Sequence, residues 1–260
     1  MAIEVLSPVV ISAGAFLLIG LERIFPYDRG QKVLREGFWT DLIWYTFIQS
    51  YVLAMIIGAL IRWIDASVPA AKSALVSSWP IGLQVVFFLV AHDLYIYLFH
   101  RWQHHSSILW RIHEAHHSVK DVDWLAGSRS HALEILINQT VEFLPMTLLG
   151  ASPELPLVKG MIDAVWGMYI HSNLDVHSGP LQYVLNGPEM HRWHHAREIT
   201  HGGVNFSTKL AIWDWLFKTN YLPRTKPAGY GIGDTRFPAG YFSQLAYAFR
   251  PFRDPEKRES

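Results

Sequence analysis

The sequence predicts an all-α protein, a polytopic membrane helical bundle of about four spans with a histidine-rich cap on the cytoplasmic side. Three observations predict this fold class. Half of the 260 residues are hydrophobic and only 17% are charged, against roughly 25% in ordinary soluble domains. Long segments contain no charged side chain at all. Ten of the 14 histidines gather in two short segments, 100–117 and 191–201.

The composition excludes several classes of protein. Lysine and arginine together number 22, as do aspartate and glutamate, so the formal net charge is zero, which argues against a nucleic-acid-binding surface. The chain has no cysteine, which excludes disulfides, cysteine-ligated zinc, iron–sulfur clusters and thiol nucleophiles. The high hydrophobic content argues against intrinsic disorder.

Three segments are long and apolar enough to cross a membrane. Residues 5–21 and 42–61 contain no charge, and a third helix is expected from near Pro80 through Asp93 towards His104. About 20 apolar residues in a helix cross a hydrocarbon core of about 30 Å. Soluble helices usually present a polar face, and 42–61 has none. This favours membrane spans over the buried helices of a soluble bundle.

Two weaker apolar segments follow, at 133–150 and 157–171, and both contain charged side chains. They are interpreted either as a thin pair of spans or as helices that lie partly in the membrane interface. In both cases the chain returns to the side it left.

The orientation is predicted from the basic residues beside the spans. Four lie between the first two spans, in 23–35, and only two lie between the second and third, in 62–72. Because cytoplasmic loops carry an excess of lysine and arginine, the N-terminus is expected outside. Three crossings then bring the histidines of 100–117 to the cytoplasmic side.

Three histidine motifs indicate a metal centre. His100 and His104 share one helix face, and two H-x-x-H-H triplets are each predicted to direct three imidazoles to one place. The triplets are His113, His116 and His117, and His191, His194 and His195. Neutral imidazole binds iron, zinc, copper or nickel. Eight such ligands exceed what one ion accepts, so the count predicts two metal ions.

The motifs leave two further functions open. A membrane zinc hydrolase needs a carboxylate base near the metal, and neither Glu114 nor Glu189 is placed as in H-E-x-x-H. A metal transporter or store is the other alternative. Transporters place ionisable residues within their spans, whereas 5–21 and 42–61 have none.

The motifs HRWQH (100–104), HEAHH (113–117) and HRWHH (191–195), set among hydrophobic spans, resemble the fatty acid hydroxylase/sterol desaturase superfamily. DLYIYLFHR (93–101) is similar to the opening motif of that family, D-x-x-Y-Y-x-x-H-R. NF (205–206) with IWDWLF (212–217) is similar to its closing segment. The resemblance covers roughly 90–220. Lys218 stands where the family usually has glycine, a departure in a loop.

This resemblance implies a membrane enzyme with two non-haem iron ions. Such enzymes use O2 to hydroxylate or desaturate an unactivated C–H position of a lipid, here a sterol or hopanoid, a fatty acyl chain, an ether lipid or a carotenoid. The sequence has no nucleotide-binding glycine motif after a strand and no haem domain, so a separate electron-donor protein or reductase is implied. The chain then divides into N-terminal transmembrane helices (1–90), a fatty acid hydroxylase-like catalytic region (91–220) and a C-terminal loop and tail (221–260).

The resemblance also extends the set of candidate site residues. His171 matches a ligand that precedes the last motif, and His177 stands where relatives have histidine or asparagine. Asp93 lies seven residues before His100 on the same predicted helix face. It is expected either to accept a hydrogen bond from a ligand imidazole N–H or to form a salt bridge with a nearby arginine. His131 is expected either to cap a helix or to be a hydrogen-bond partner of a ligand. His105 points about 100° away from His104 around a helix and is expected to lie outside the site.

Overall fold

The computed structural model describes residues 3–68, 72–199, 202–233 and 236–251, and these residues form helices and loops without a β-strand. The predicted all-α fold class is therefore confirmed. The predicted tail from residue 252 onwards lies outside the described residues. The helices are α1 (Ile3–Ile24), a π-helix (Thr40–Gln49) that continues into α2 (Ser50–Ser67), α3 (Ile81–His105), α4 (Ser107–His117), α5 (Ala132–Leu148), α6 (Leu155–His171), α7 (Pro188–His194), α8 (Ile212–Leu216) and α9 (Tyr241–Tyr247).

Three of these helices are long and apolar enough to cross a membrane: α1, the continuous helix Thr40–Ser67, and α3. Large apolar side chains such as Phe16, Met55 and Val86 are exposed on them, as expected of surfaces that face lipid. The predicted number of about four spans is not confirmed. Helices α5 and α6 are only 17 residues long each, and each carries charged side chains that the fold buries.

The second candidate span begins as a π-helix, whereas the sequence predicts one uniform helix over 42–61. The hydroxyls of Thr46 and Ser50 each donate a hydrogen bond to the carbonyl five residues earlier, at 2.9 and 3.1 Å. The buried face of this segment is polar and binds the rest of the fold. Tyr45 donates to the side chain of Gln244 at 2.6 Å, and Gln49 donates to the carbonyl of Ser130 at 2.9 Å.

Helix α3 packs against both α5 and α6, while α1 packs on α6 and α2 packs on α5. The loop after α1 lies at the histidine-bearing end of this bundle. Its Tyr27 amide donates to the carbonyl of Asn173 at 2.9 Å, and Gln31 donates to the carbonyl of Val122 at 3.0 Å. The first loop and the histidines therefore share one side of the bundle, as the positive-inside argument requires.

Candidate metal centre

The structure gathers nine of the ten predicted ligands into two buried clusters. In each cluster the candidate ligand atoms lie within 4.8 Å of one another. Cluster A consists of His100, His104, His113, His117 and His194, and cluster B of His116, His171, His191 and His195. Every one of these side chains is buried.

Each triplet is divided between the two clusters, which corrects the expectation that its three imidazoles point to one place. His113 and His117, four residues apart on α4, join cluster A, while His116 joins cluster B. On the last motif the pattern is reversed, because His191 joins cluster B and His194 joins cluster A. Around a helix, residue i+3 lies about 60° to one side of residue i, and residue i+4 lies about 40° to the other side. A single helix therefore directs side chains into both clusters.

A break between α3 and α4 brings the first two motifs face to face. Ser106 adopts an extended conformation, and its hydroxyl accepts a hydrogen bond from the amide of Leu109 at 3.3 Å, which caps the start of α4. The chain therefore turns between His104 and His113. The rings of these two histidines then lie 5.2 Å apart.

Hydrogen bonds fix the ring orientation and the tautomer of five candidate ligands. In each ring Nδ1–H donates to a carbonyl or carboxylate oxygen, which leaves Nε2 with a free lone pair for a metal. The pairs are His100 with Phe206 O (2.8 Å), His113 with Glu134 Oε1 (2.8 Å), His116 with Arg129 O (3.1 Å), His171 with Gly167 O (2.7 Å) and His194 with Val204 O (2.8 Å).

The distances between Nε2 atoms that face each other show whether a metal ion fits in each cluster. The Nε2 atoms of His100 and His113 lie 3.0 Å apart, and those of His116 and His171 lie 3.3 Å apart. All four of these rings already carry their proton on Nδ1, so each pair directs two lone pairs at each other, which is repulsive without a cation. Two nitrogens bound at about 2.1 Å and at right angles to one metal are roughly 3 Å apart. Both clusters fit a metal ion.

Burial keeps the imidazoles neutral. It lowers the pKa of His116, His117, His191, His194 and His195 well below the ordinary value, and neighbouring histidines lower each pKa further. A neutral imidazole is the form that binds a metal. The donor set of both clusters is therefore neutral nitrogen, which suits iron, zinc, copper or nickel.

Glu134 is a site residue that the sequence interpretation missed. Its Oε1 accepts Nδ1–H of His113 at 2.8 Å and the side-chain amide of Gln103 at 2.9 Å. A carboxylate that orients a ligand histidine is a common partner in metal sites. An acidic residue near the start of the apolar segment 133–150 was the available signal.

The NF and IWDWLF motifs hold the carbonyl that anchors His100. The Asp214 carboxylate accepts the amides of Phe206 and Ser207 at 2.9 and 3.0 Å. Asn205 has a positive φ of 52° and donates to the carbonyls of Met190, in α7, and Tyr221 at 2.8 and 2.7 Å. These contacts place the Phe206 carbonyl beside α3.

His177 lies apart from both clusters, which corrects its prediction as a ligand. Its side chain is 86% exposed, and its ring nitrogens lie 3.7 Å from Asp175 and 3.5 Å from Glu189. The residues directly after α6, 172–174, stay buried, and the chain reaches the surface only at Asp175, so His171 at the end of the helix reaches cluster B and His177 does not. His105 is also outside both clusters and exposed.

Asp93 and His131 support the fold and do not contact the clusters. Asp93 is fully buried, and its carboxylate accepts four hydrogen bonds at 2.8–3.0 Å from Thr208, the amides of Lys209 and Leu210, and the Trp213 indole. This corrects both expectations for Asp93, a ligand partner and an arginine salt bridge.

His131 caps α5, which confirms one of its two expected roles and corrects the other, a contact with a ligand. Its Nδ1 accepts the amide of Leu133 at 3.1 Å and its Nε2–H donates to the carbonyl of Leu245 at 3.1 Å. Both ring nitrogens are thus occupied by backbone groups of α5 and α9.

A cavity of about 240 Å³ adjoins both clusters, and we call it the inner cavity. It lies between α3, α5 and α6. Its wall near the clusters is formed by His100, His113, His116, His171 and His191. A small ligand group in this cavity would therefore reach both candidate metal sites.

Parts of the chain are similar in sequence to known proteins. A family model described as fatty acid hydroxylase matches residues 85–219, just over half of the chain. Ornithine lipid hydroxylase OlsE of Rhizobium tropici is 36% identical over 172 residues, which cover 66% of this chain and 52% of that protein. Alkylglycerol monooxygenase of Homo sapiens is 32% identical over 127 residues (49% and 28%), and methylsterol monooxygenase 1 of Rattus norvegicus is 29% identical over 133 residues (50% and 44%). The chain spans about half or less of these curated relatives. No solved structure matches.

Proposed function

The chain belongs to the fatty acid hydroxylase family, and from that premise we propose that it uses O2 and two iron ions to hydroxylate or desaturate a C–H position of a membrane lipid. The observation that carries this proposal is the pair of buried, all-histidine clusters beside one cavity. The relatives named above are hydroxylases and monooxygenases, as their names state.

The proposed ligands are the five histidines of cluster A for one iron and the four of cluster B for the other. When bound, the irons supply the oxygen activation that amino-acid side chains lack. The chain's own part is to hold the imidazoles neutral and correctly turned, through Glu134 and the main-chain carbonyls that accept their Nδ1–H groups. Burial of every ligand excludes bulk water from the reacting position.

The proposed reaction requires an electron donor. Inserting one atom of O2 into a C–H bond while the other atom leaves as water consumes two electrons and two protons. The sequence has no recognisable flavin- or nucleotide-binding motif, so a separate reductase or electron-transfer protein is proposed as partner. The membrane is the source of the lipid substrate.

The proposed orientation places both clusters in the cytoplasm and the N-terminus outside. It is supported by the basic loop of 23–35, which packs at the same end of the bundle as the histidines. Reporter fusions after Arg35 and after Ser260 are both expected to report cytoplasm. A periplasmic or luminal signal from either fusion would contradict the orientation.

The experiment that tests the function measures metal and oxygen together. Protein purified from iron-supplemented cells is expected to contain about two iron atoms per chain. Only when ¹⁸O2 and a reducing system are both supplied should it change co-purified membrane lipid, either by adding one ¹⁸O atom (hydroxylation) or by removing two hydrogen atoms (desaturation). The His104→Ala variant is the matched inactive control. Activity of zinc-only protein without oxygen would instead indicate a hydrolase, and variable, exchangeable metal without lipid change would indicate a transporter or store.

A further inference from the structure

The segment 123–130 supports two ligands of cluster B at once. The carbonyl of Arg129 accepts the Nδ1–H of His116 at 3.1 Å. Two residues earlier, Gly127 lies so close to His171 that a Cβ built there would collide with the imidazole ring. A shift of this segment would therefore move the hydrogen-bond acceptor of one ligand and the surface on which another ligand packs.

The ligands of cluster A are oriented from other parts of the chain. The oxygens that accept their Nδ1–H groups belong to Phe206, Glu134 and Val204. All three acceptors lie outside the segment 123–130. A displacement of that segment therefore acts first on cluster B.

A buried network of ion pairs attaches the segment to the loop after α1 and to the start of the π-helix. The Asp41 carboxylate accepts hydrogen bonds from the Arg129 guanidinium at both oxygens, at 2.7 and 3.0 Å. Arg35 pairs with the same carboxylate at 2.8 Å and with Asp123 at 2.9 Å. We call these four residues the Asp41 network. It holds both ends of the segment that supports cluster B.

The Asp41 network is better suited to fixing an orientation than to adding stability. All four side chains are buried, and their two positive and two negative charges balance. Because removal of charges from water is costly, a buried ion pair is a weak source of stability. A planar guanidinium that donates to both oxygens of a carboxylate does, however, fix the direction of its side chain. Arg129 is thus held by its side chain while its carbonyl faces His116.

Gly37 leaves the space that the Arg129 side chain occupies. It has a positive φ of 79°, and a Cβ built there would collide with Arg129 Nη2. The end of a flexible side chain can usually move aside. This guanidinium is not free to do so, because Asp41 binds it and because it also donates to the hydroxyl of Ser118 at 3.1 Å, directly after α4.

From these contacts we infer that Arg35, Gly37 and Asp41 are positioning residues for cluster B. They act by holding Arg129 in place. All three lie outside residues 85–219, which match the family model, so the second candidate span and the loop before it take part in building the metal centre. The inference rests on the proposed function, because it takes cluster B to hold a metal ion. Cluster B should therefore be weakened by changes in this loop that leave cluster A intact.

The test titrates the metal-free, detergent-purified full chain with Co2+ and follows the visible absorption, which depends on the ligands and geometry around the ion. Co2+ binds nitrogen ligands more tightly than Fe2+ does, and the titration needs neither O2 nor an electron donor. The unaltered chain is expected to bind two ions. His116→Ala removes a ligand of cluster B and thereby identifies the part of the spectrum that belongs to this cluster.

Two variants perturb the network without changing a ligand. Asp41→Asn keeps the shape of the side chain and removes its charge, and Gly37→Ala introduces the collision with Arg129. In both variants the affinity of cluster B for Co2+ is expected to fall about tenfold, the lower end of the usual effect of groups that orient metal ligands, while that of cluster A is unchanged. Gly179→Ala is the matched control for Gly37→Ala. Gly179 also has a positive φ, of 54°, but an added Cβ meets nothing within 4 Å.

Asp93→Asn separates positioning from general stability. Asp93 is as fully buried as Asp41, but the four hydrogen bonds that its carboxylate accepts come from residues 208–213. Like Asp41→Asn, this variant is expected to lower the thermal unfolding temperature. Unlike Asp41→Asn, it should bind Co2+ in cluster B as tightly as the unaltered chain does.

The outcomes distinguish the inference from the proposed function. Unchanged Co2+ affinity of cluster B in Asp41→Asn, or equal weakening of both clusters, would overturn the inference even if the unaltered chain binds two ions and modifies lipid. If Asp41→Asn does not fold, Gly37→Ala decides the question, and behaviour like that of Gly179→Ala would overturn the inference. Failure of the unaltered chain to bind Co2+ would refute the proposed metal centre, and the inference with it.

Discussion

Replacing Gly127 by alanine tests the geometry of cluster B directly. Gly127 lies in the short turn Ala126–Ser128, and a Cβ built there would lie 2.6 Å from Nδ1 and 2.9 Å from Cε1 of His171. Ordinary contact begins near 3.4 Å, so the ring or the turn must move by about 0.8 Å. The His171 ring is held at 2.7 Å on the Gly167 carbonyl, so this movement disturbs that hydrogen bond.

The size of the effect follows from the role of His171. Disturbing the groups that orient a metal ligand typically costs 10–100-fold in metal affinity, and a misplacement of about 1 Å can cost roughly 100-fold in rate. Gly127→Ala is therefore expected to lower the iron content from about two atoms per chain towards one and to reduce turnover at least tenfold. The fold should persist, because the lost hydrogen bond contributes only about 1 kcal/mol.

The assay is metal analysis of the purified variant together with its turnover. The matched control is Gly160→Ala on α6, where an added Cβ meets nothing within 4 Å. This control should retain its iron and should be no less stable, since alanine favours a helix by up to about 1 kcal/mol over glycine. If Gly127→Ala binds iron and turns over like the control, the placement of His171 against this turn is refuted.

Four further predictions follow from named contacts. His104→Ala should abolish turnover whereas His105→Ala, beside it but exposed, should keep most of it; the reverse result would show that the helical register is wrong. His177→Ala should retain its iron and most of its activity, because this side chain is exposed, and metal loss would restore it to the ligand set. Asp93→Asn should lower stability by about 2–3 kcal/mol through loss of a buried, charged hydrogen-bond acceptor, seen as a lower thermal unfolding temperature with iron still bound. Removing iron with a chelator should also lower that temperature, since a ligand bound to the native state stabilises it, and an unchanged temperature would contradict metal binding within the fold.

The sequence predicts the fold class and eight of the nine clustered histidines for reasons that are local, whereas His171 was predicted from the family resemblance. Apolar runs of helical length indicate spans, and spacings of three and four residues indicate shared helix faces. The division of each triplet between two clusters was not predicted, because it depends on how α4 and α7 face each other across the bundle. The prediction of His177 as a ligand was wrong for a similar reason, because packing sets the path of the chain after α6.

The groups that orient the ligand histidines could not be predicted from the sequence, for a different reason. Four of the five oxygens that accept a ligand Nδ1–H are main-chain carbonyls, of Phe206, Arg129, Gly167 and Val204. Every residue has a carbonyl, so no residue type marks these positions. The role of Glu134 and the inner cavity both depend on the packing of α3, α5 and α6 against one another. An acidic residue in a moderately apolar helix does not by itself indicate which residue it will contact.

Because main-chain carbonyls orient most of the ligand histidines, the groups that hold these ligands differ from the side chains that shape the cavity. A side chain can be exchanged at an anchoring position without removing the oxygen that holds the metal ligand. The cavity wall also contains Ile96, Phe99 and Ile170, which hold no ligand and can be changed to alter the shape of the space. Under the proposed function, one unaltered set of metal ligands could thus be fitted to different lipids by a few wall substitutions, which makes the cavity a practical place to engineer new specificity.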